Sequence, residues 1–417
     1  MVRTVRAPKH TVTLVLIAVA ASFGQFGAIS SLGDVAKHFG SFNEGKSLTA
    51  VVGISAGVLG LGMGLLRLAS LGALPLSALG DRFGRVRVLR GALTLGLLFT
   101  AAAAASPGYW WFVLLFACAR PLLSTANTLI QVLTVEVSSD RHRVRHLAWI
   151  SAGAGMGAGL SAILHSVFRG PNSFRILFAL ALVPAIIIQP LIRKVEETHL
   201  LDRASERIDK LGSVSQEFRR PLFILAWVAF VVGVISGPAN GFAFVYGERI
   251  LHIDPKFVAV VVTGSSVTGL VGLIASRWSS DTYGRRTTVG VGAIGLGLAS
   301  CLAYFGGRHL FTLGYLVGVF ATAFWAPAAS ALVNETFPRR VRATVGGWIV
   351  VAGVLGATFG LFFFGVVANL VASDHSTSAL RMPASSHFCR FCQRCSFCGA
   401  YRRPATSRST SATSVQR

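Results

Sequence analysis

Eleven stretches of roughly twenty apolar residues, separated by short polar breaks, run from residue 11 to residue 372. A helix needs about 20 mostly apolar residues to cross a bilayer. Lipid offers no partner to an open strand edge, so such stretches fold as membrane-spanning helices. The expected spans are 11–33, 55–79, 88–106, 110–135, 147–168, 174–192, 221–245, 256–276, 287–305, 311–333 and 345–372. The first follows Arg3, Arg6 and Lys9, as a secretory signal would. Its apolar run continues to Gly33 and ten more spans follow, so it reads as a retained helix. Charge agrees: only 13% of residues are charged, about half the ~25% of soluble domains. A soluble enzyme, a disordered chain and a secreted disulfide scaffold are all excluded.

The 39 Lys and Arg outnumber the 16 Asp and Glu, for a net charge of +23. In a soluble chain that excess would point to nucleic acid. Here its placement decides otherwise. Arg82, Arg85, Arg87 and Arg90 follow span 2, Arg141, Arg143 and Arg145 follow span 4, Arg277, Arg285 and Arg286 follow span 8, and Arg339, Arg340 and Arg342 follow span 10. The opposite connections carry little charge: 106–109 has none and 306–310 has only Arg308. The positive-inside rule therefore places the N-terminus and these basic connections in the cytoplasm. The expected location is the cytoplasmic membrane, with lipid and a small solute as partners and no nucleic acid.

Residues 193–220 are polar with mixed charge and read as a cytoplasmic linker between six spans and five. The expected domains are a transmembrane bundle over 1–192, the linker over 193–220, a second bundle over 221–372 and an atypical tail over 373–417. The halves repeat each other. Asp81-Arg82-Phe83-Gly84-Arg85 follows span 2, and Asp281-Thr282-Tyr283-Gly284-Arg285-Arg286 follows span 8, 200 residues later. Glu136 precedes Arg143 by seven residues, and Glu335 precedes Arg342 by seven, at an offset of 199. Parallel duplication of a helical unit is one building plan of secondary transporters.

At these residues the chain resembles the major facilitator superfamily, whose hallmark after helix 2 is G-x-x-x-D-R-x-G-R-R. The counterpart here is Ser77-Ala-Leu-Gly-Asp81-Arg82-Phe-Gly84-Arg85-Val-Arg87, with Ser77 in place of the Gly and Val86 in place of the second basic residue. The second copy has Arg277 at the Gly position and Thr282 at the Arg position, and 335–344 resembles the loop between helices 10 and 11. The resemblance implies an all-α integral membrane fold of two pseudo-symmetric six-helix bundles around a central cavity. It also implies a monomer driven by an ion gradient, with the proton as the coupling ion. In the family this charged cluster latches the two bundles at the cytoplasmic side. Gly84 and Gly284 are expected in tight turns, and Asp81 either near a helix N-terminus or paired with Arg85.

Within the spans, Gly153, Gly155, Gly157 and Gly159 of span 5 and Gly353, Gly356 and Gly360 of span 11 have the spacing of close helix contacts. Two charges stand out: Arg67 in span 2 and Arg120 in span 4. A charge at such depth costs at least about 2.5–3.5 kcal/mol, so it faces a partner or a watery cavity. Ser124, Asn127 and Gln131 continue from Arg120 along one helix face. Gln25, Asn240 and Trp325 complete the cavity candidates, and Gly237-Pro238 is expected to unwind span 7 and expose carbonyls. Asp34, Glu136 and Glu248 fall at helix ends, and His165 near the outer end of span 5 reads as an interfacial histidine. No phosphate-binding G-x-x-x-x-G-K-[ST] run, catalytic triad or metal-ligand set occurs in the body, so no enzyme and no cofactor is expected.

The family has twelve spans where this chain shows eleven. Residues 374–417 carry seven Arg, no Lys, and Cys389, Cys392, Cys395 and Cys398. The spacing departs from the C-x₂-C-x₂-C-x₃-C-P of ferredoxins, so no metal site is expected. The tail reads instead as an aberrant or frameshifted version of a twelfth helix. The function expected is secondary transport of a small polar, anionic metabolite. Efflux of amphipathic compounds, and a non-transporting or defective membrane protein, are the alternatives. Sequencing across the gene's 3′ region checks the tail: another frame should encode about 20 apolar residues, and if no frame does, the frameshift reading fails.

Overall fold

The computed structural model describes residues 7–40, 54–138, 143–168, 172–193, 216–304 and 307–374. The tail from 375, and residues 194–215 of the expected linker, lie outside them. Among the described residues, eleven helices are long and apolar enough to cross a membrane. In order, spans 1 to 11 are Thr11–Ser30, Ala56–Phe83, Arg85–Ala105, Tyr109–Glu136, Arg145–Val167, Ser173–Ile192, Gln216–Gly241, Pro255–Thr282, Arg285–Tyr304, Arg308–Thr336 and Thr344–Ala368. Each falls on an expected stretch, and the described residues hold no strand.

Spans 2 and 8 run beyond their expected ends at 79 and 276, because the charged motifs are themselves helical. Asp81 sits in the last turn of its helix, and one residue, Gly84, joins spans 2 and 3. Gly84 has φ 97° and Gly284 has φ 84°, a region that only glycine enters without steric cost. The Gly84 N–H donates to the Gly80 carbonyl, while its own carbonyl accepts from Val88. One residue therefore closes one helix and starts the next.

The expected unwinding at Gly237-Pro238 does not occur. Span 7 stays helical to Gly241, and the Tyr304 hydroxyl donates to the Pro238 and Ala239 carbonyls at 3.1 and 3.2 Å. Those carbonyls are satisfied by span 9 and do not face a cavity. The irregular backbone lies further on, in a π-helical turn at Tyr246–Ile250. Span 2 is interrupted by a 3₁₀ segment at Ser70–Gly72 between Ala56–Ala69 and Ala73–Phe83, and span 6 by a turn between Ser173–Ala179 and Leu182–Ile192.

Glycine seams set the packing. On span 5, Gly153 and Gly157 lie against Val15 and Val19 of span 1, while Gly155 and Gly159 lie against Ser266 and Thr263 of span 8. On span 11, Gly356 and Gly360 meet the carbonyls of Phe230 and Val234 on span 7, and Gly365 meets Ala56 of span 2. Each of these helices thus faces its own half with one set of glycines and the other half with another.

The ends of the molecule differ. At the end away from the basic motifs, one buried apolar cluster is shared by both halves, including Ile29, Leu59, Met63, Phe112 and Phe178 with Phe244, Tyr246, Val258, Tyr304 and Leu361. Toward the basic end, one cluster is confined to the first half, and two others to the second. Span 11 packs along Ala56–Ala69 of span 2, whereas Ala73–Phe83 packs on spans 3 and 4 of its own half. The halves are closed at the far end and part toward the basic end.

These contacts make opposite demands on two neighbouring glycines. Gly157→Leu intrudes on the Val19 backbone inside one half and should lower stability by about 1–3 kcal/mol, the usual range for overpacking. Gly159→Leu meets Thr263 across the halves and should weaken closure of the far end instead. Thermal unfolding in detergent, paired with accessibility of the far end to a soluble reagent, separates the two effects.

Candidate functional site

Spans 2 and 4 run in the same direction and pack together. Arg67 and Arg120 each lie eleven residues from the first residue of their span, about 16 Å along a helix. They therefore share one depth on neighbouring helices. Arg67 ends a helical segment just before the 3₁₀ interruption. The Nη1 of Arg120 donates to the Gln25 carbonyl at 3.1 Å, and the Gln25 amide donates to Ser124 Oγ at 3.1 Å. Arg120 Nε is buried with no hydrogen-bond partner. Among the described residues, no carboxylate pairs with either guanidinium.

Gln25, Arg120 and Ser124 thus form one hydrogen-bonded group, with Arg67 at the same depth on the neighbouring span. Asn127 and Gln131 extend the same face of span 4 toward the basic end, half-buried and exposed respectively. The two second-half candidates stand apart. The Asn240 amide donates to the Ser236 carbonyl of its own helix at 2.9 Å. Trp325 packs on Gly292 and on the Val232–Leu296–Ala321 cluster, its indole N–H buried without a partner.

The duplicated charges at the basic end form matching pairs. Arg85 donates twice to Asp81, at 2.8 and 3.0 Å, and also pairs with Glu136. Arg285 pairs with Glu335 at 2.7 Å, and Arg277 approaches Asp281 at 4.0 Å. Asp81, in the last turn of its helix, takes the pairing with Arg85. Arg342 donates to the Phe337 carbonyl at 2.7 Å, and Arg82 and Arg286 are exposed. Arg143 opens its helix, and its side chain lies outside the described residues. Among the described residues, every ion pair at this end stays within one half, where the resemblance implies a latch between halves. With the basic ends apart, these charges tie neighbouring spans of one half to each other.

A second charged group, at the far end, does cross between the halves. Arg249 Nη2 donates to Asp34 at 2.6 Å, and His165 lies 3.1 Å from Glu248 and 3.5 Å from Asp34. Ser173 donates to the other Asp34 oxygen at 2.8 Å. Asp34 and His165 belong to the first half, Glu248 and Arg249 to the second. Sequence reading leaves Asp34 and Glu248 at helix ends and His165 as an interfacial histidine, and does not single out Arg249. The available signal is their common depth at the ends of spans 1, 5 and 7, but depth does not reveal which way each side chain turns.

The sequence profile of the Major Facilitator Superfamily matches residues 14–252 and 240–373. The chain is 24% identical over 345 residues to a probable 4-methylmuconolactone transporter of Cupriavidus pinatubonensis, covering 76% of this chain and 79% of that one. It is 26% identical over 336 residues to a 3-(3-hydroxy-phenyl)propionate transporter of Escherichia coli, covering 79% and 80%. The fold is similar to that of a point mutant of the nucleoside transporter NupG, with a TM-score of 0.73 at 12% identity over 92% of this chain and 96% of that one.

The two classes of ion pair should differ in strength. Arg285–Glu335 is largely exposed, at 38% and 50%, and should couple by about 0.2–1 kcal/mol. Arg249–Asp34, at 25% and 17%, should couple more strongly. Double-mutant cycles read by thermal unfolding in lipid nanodiscs measure both.

Proposed function

The chain belongs to the major facilitator superfamily, and from that footing we propose that it is a secondary transporter of a small organic carboxylate, working by alternating access. The observation that carries this reading is the Arg67–Arg120 pair: two like charges at one depth, with no carboxylate beside them among the described residues. Two guanidiniums inside a membrane are unfavourable together, and a bound anion offsets both. Arg120 is held on one side by the Gln25 carbonyl, which leaves its buried Nε and the rest of the fork to meet a carboxylate. Ser124 braces Gln25 in turn. The two relatives' named solutes, a muconolactone and a phenylpropionate, suit such a site.

In this reading the basic end faces the cytoplasm, so the structure is open inward and closed outward. Residues 1–192 and 221–372 rock as the two bodies, and the paired charges Asp81–Arg85–Glu136 and Arg285–Glu335 hold each body together during the movement. The coupling ion is the proton. Carrying one negative charge into a cell against 100 mV costs about 2.3 kcal/mol, and one accompanying proton cancels that cost.

Arg120→Lys should reduce uptake of 3-(3-hydroxyphenyl)propionate at least tenfold in proteoliposomes, because an ammonium cannot reproduce the guanidinium fork. Asn127→Ala, further along the stripe, should have a smaller effect. Uptake by Arg120→Lys equal to wild type would remove the anion site, and efflux of amphipathic compounds tolerant of Arg67→Ala would favour the other direction of transport. At one fixed external pH, uptake should also rise as the interior is made more alkaline and collapse with a protonophore, whereas a rate indifferent to the gradient would exclude proton coupling.

A further inference from the structure

We propose that Asp34, His165, Glu248 and Arg249 form a proton-binding lock at the outer end, which takes up a proton when the halves close there and returns it to the same side when they open. This inference rests on alternating access, but not on the proton as coupling ion.

The lock is assembled only by closure. His165 and Asp34 come from one half, and Glu248 and Arg249 from the other. When closed, the His165 side chain is 5% exposed and Glu248 9%. With a neutral imidazole, the group holds two carboxylates against one guanidinium and carries a net negative charge. An imidazolium between Glu248 and Asp34 brings the sum to zero. A buried ionic group is tolerated when its charges are paired, and is strongly unfavourable when one is left over. Closure therefore binds a proton. Arg175 and His38, on the helix of Ser173 and on that of Asp34, bond to each other outside this group of four, and Arg175 also donates to the Ala104 and Ser106 carbonyls. Lys37, His252 and Asp254 line the same cavity of about 730 Å³ but are exposed to solvent, and Lys37 and Asp254 cancel each other.

The proton's route is outward. The exposed lining residues open the cavity onto the far surface. On the inner side, Phe244 stacks edge-on to His165 at 6.2 Å and to Phe26 at 5.8 Å, within the shared apolar cluster. Glu248 and Arg249 ride on the π-helical turn, and His252 just beyond it has φ 52°. Departures of this kind from regular backbone concentrate at elements that switch.

The sign follows from linkage. The state that binds the extra proton is favoured at low pH and loses that advantage as pH rises. Low external pH should hold the outer end shut, and high pH should release it.

The test is hydrogen–deuterium exchange of residues 32–39 and 246–253 in the full chain in nanodiscs between pH 5.5 and 8.5, corrected for the intrinsic pH dependence of exchange. Wild type should lose protection at least tenfold as pH rises. His165→Asn should be weakly protected and flat with pH, because its closed lock keeps the surplus negative charge. Adding Glu248→Gln to it removes that charge and should restore protection, still flat with pH. A wild-type profile flat with pH, a His165→Asn profile that keeps the slope, or a double variant no better protected than His165→Asn would each overturn the lock. Thermal stabilisation by 3-(3-hydroxyphenyl)propionate, read on the same samples, tests the solute reading separately. Its absence alongside an intact pH response would sink the solute reading and leave the lock standing.

Discussion

Close helix approach at glycine is the interaction on which the rest of this structure depends. In lipid there is little hydrophobic drive to hold one apolar helix against another, so close approach and dispersion must do it. Span 5 meets span 1 through Gly153 and Gly157 and span 8 through Gly155 and Gly159, while span 11 meets span 7 through Gly356 and Gly360 and span 2 through Gly365. Because the two sets of glycines lie on different faces, the same two helices both complete a half and join it to the other. Contacts between halves made by small residues can part without tearing a large interlocked surface.

The charges then occupy three levels with three physical roles. At the basic end they pair inside one half, some in water that keeps them weak, as Arg285 with Glu335, and one largely covered, Arg85 with Glu136. At mid-depth, Arg67 and Arg120 stand without a carboxylate among the described residues. At the far end, opposite charges from the two halves meet in a largely buried group, where pairing matters most. Charge becomes more consequential as water becomes scarcer.

Much of this was legible in the sequence. Span positions follow from apolar length alone, since 20 residues at a helical rise must match the hydrocarbon thickness. The duplicated motif put equivalent charges in the two halves, but the structure alone decided that Arg85 meets Glu136 and Arg285 meets Glu335. The depth of Arg120 and its polar stripe followed from counting residues. Other readings failed for local reasons. Gly237-Pro238 has the composition of a helix break, but the helix continues to Gly241, with Phe242 N–H on the Pro238 carbonyl and the Tyr304 hydroxyl of a distant span on the Pro238 and Ala239 carbonyls. Trp325 and Asn240 read as cavity residues by depth, yet one packs within its own half and the other bonds to its own helix.

By itself, the sequence determined that the chain crosses a membrane about eleven times, that its halves are copies, and which end carries the basic excess, because all three are written in residue type and linear spacing. The tertiary structure alone decided which residues meet across the halves. Asp34 and Arg249 are 215 residues apart, and His165 and Glu248 are 83 apart. No spacing rule connects such positions. Their encounter depends on how each helix is rotated about its axis and on which end of the molecule is closed, and both are set by the packing of many helices at once.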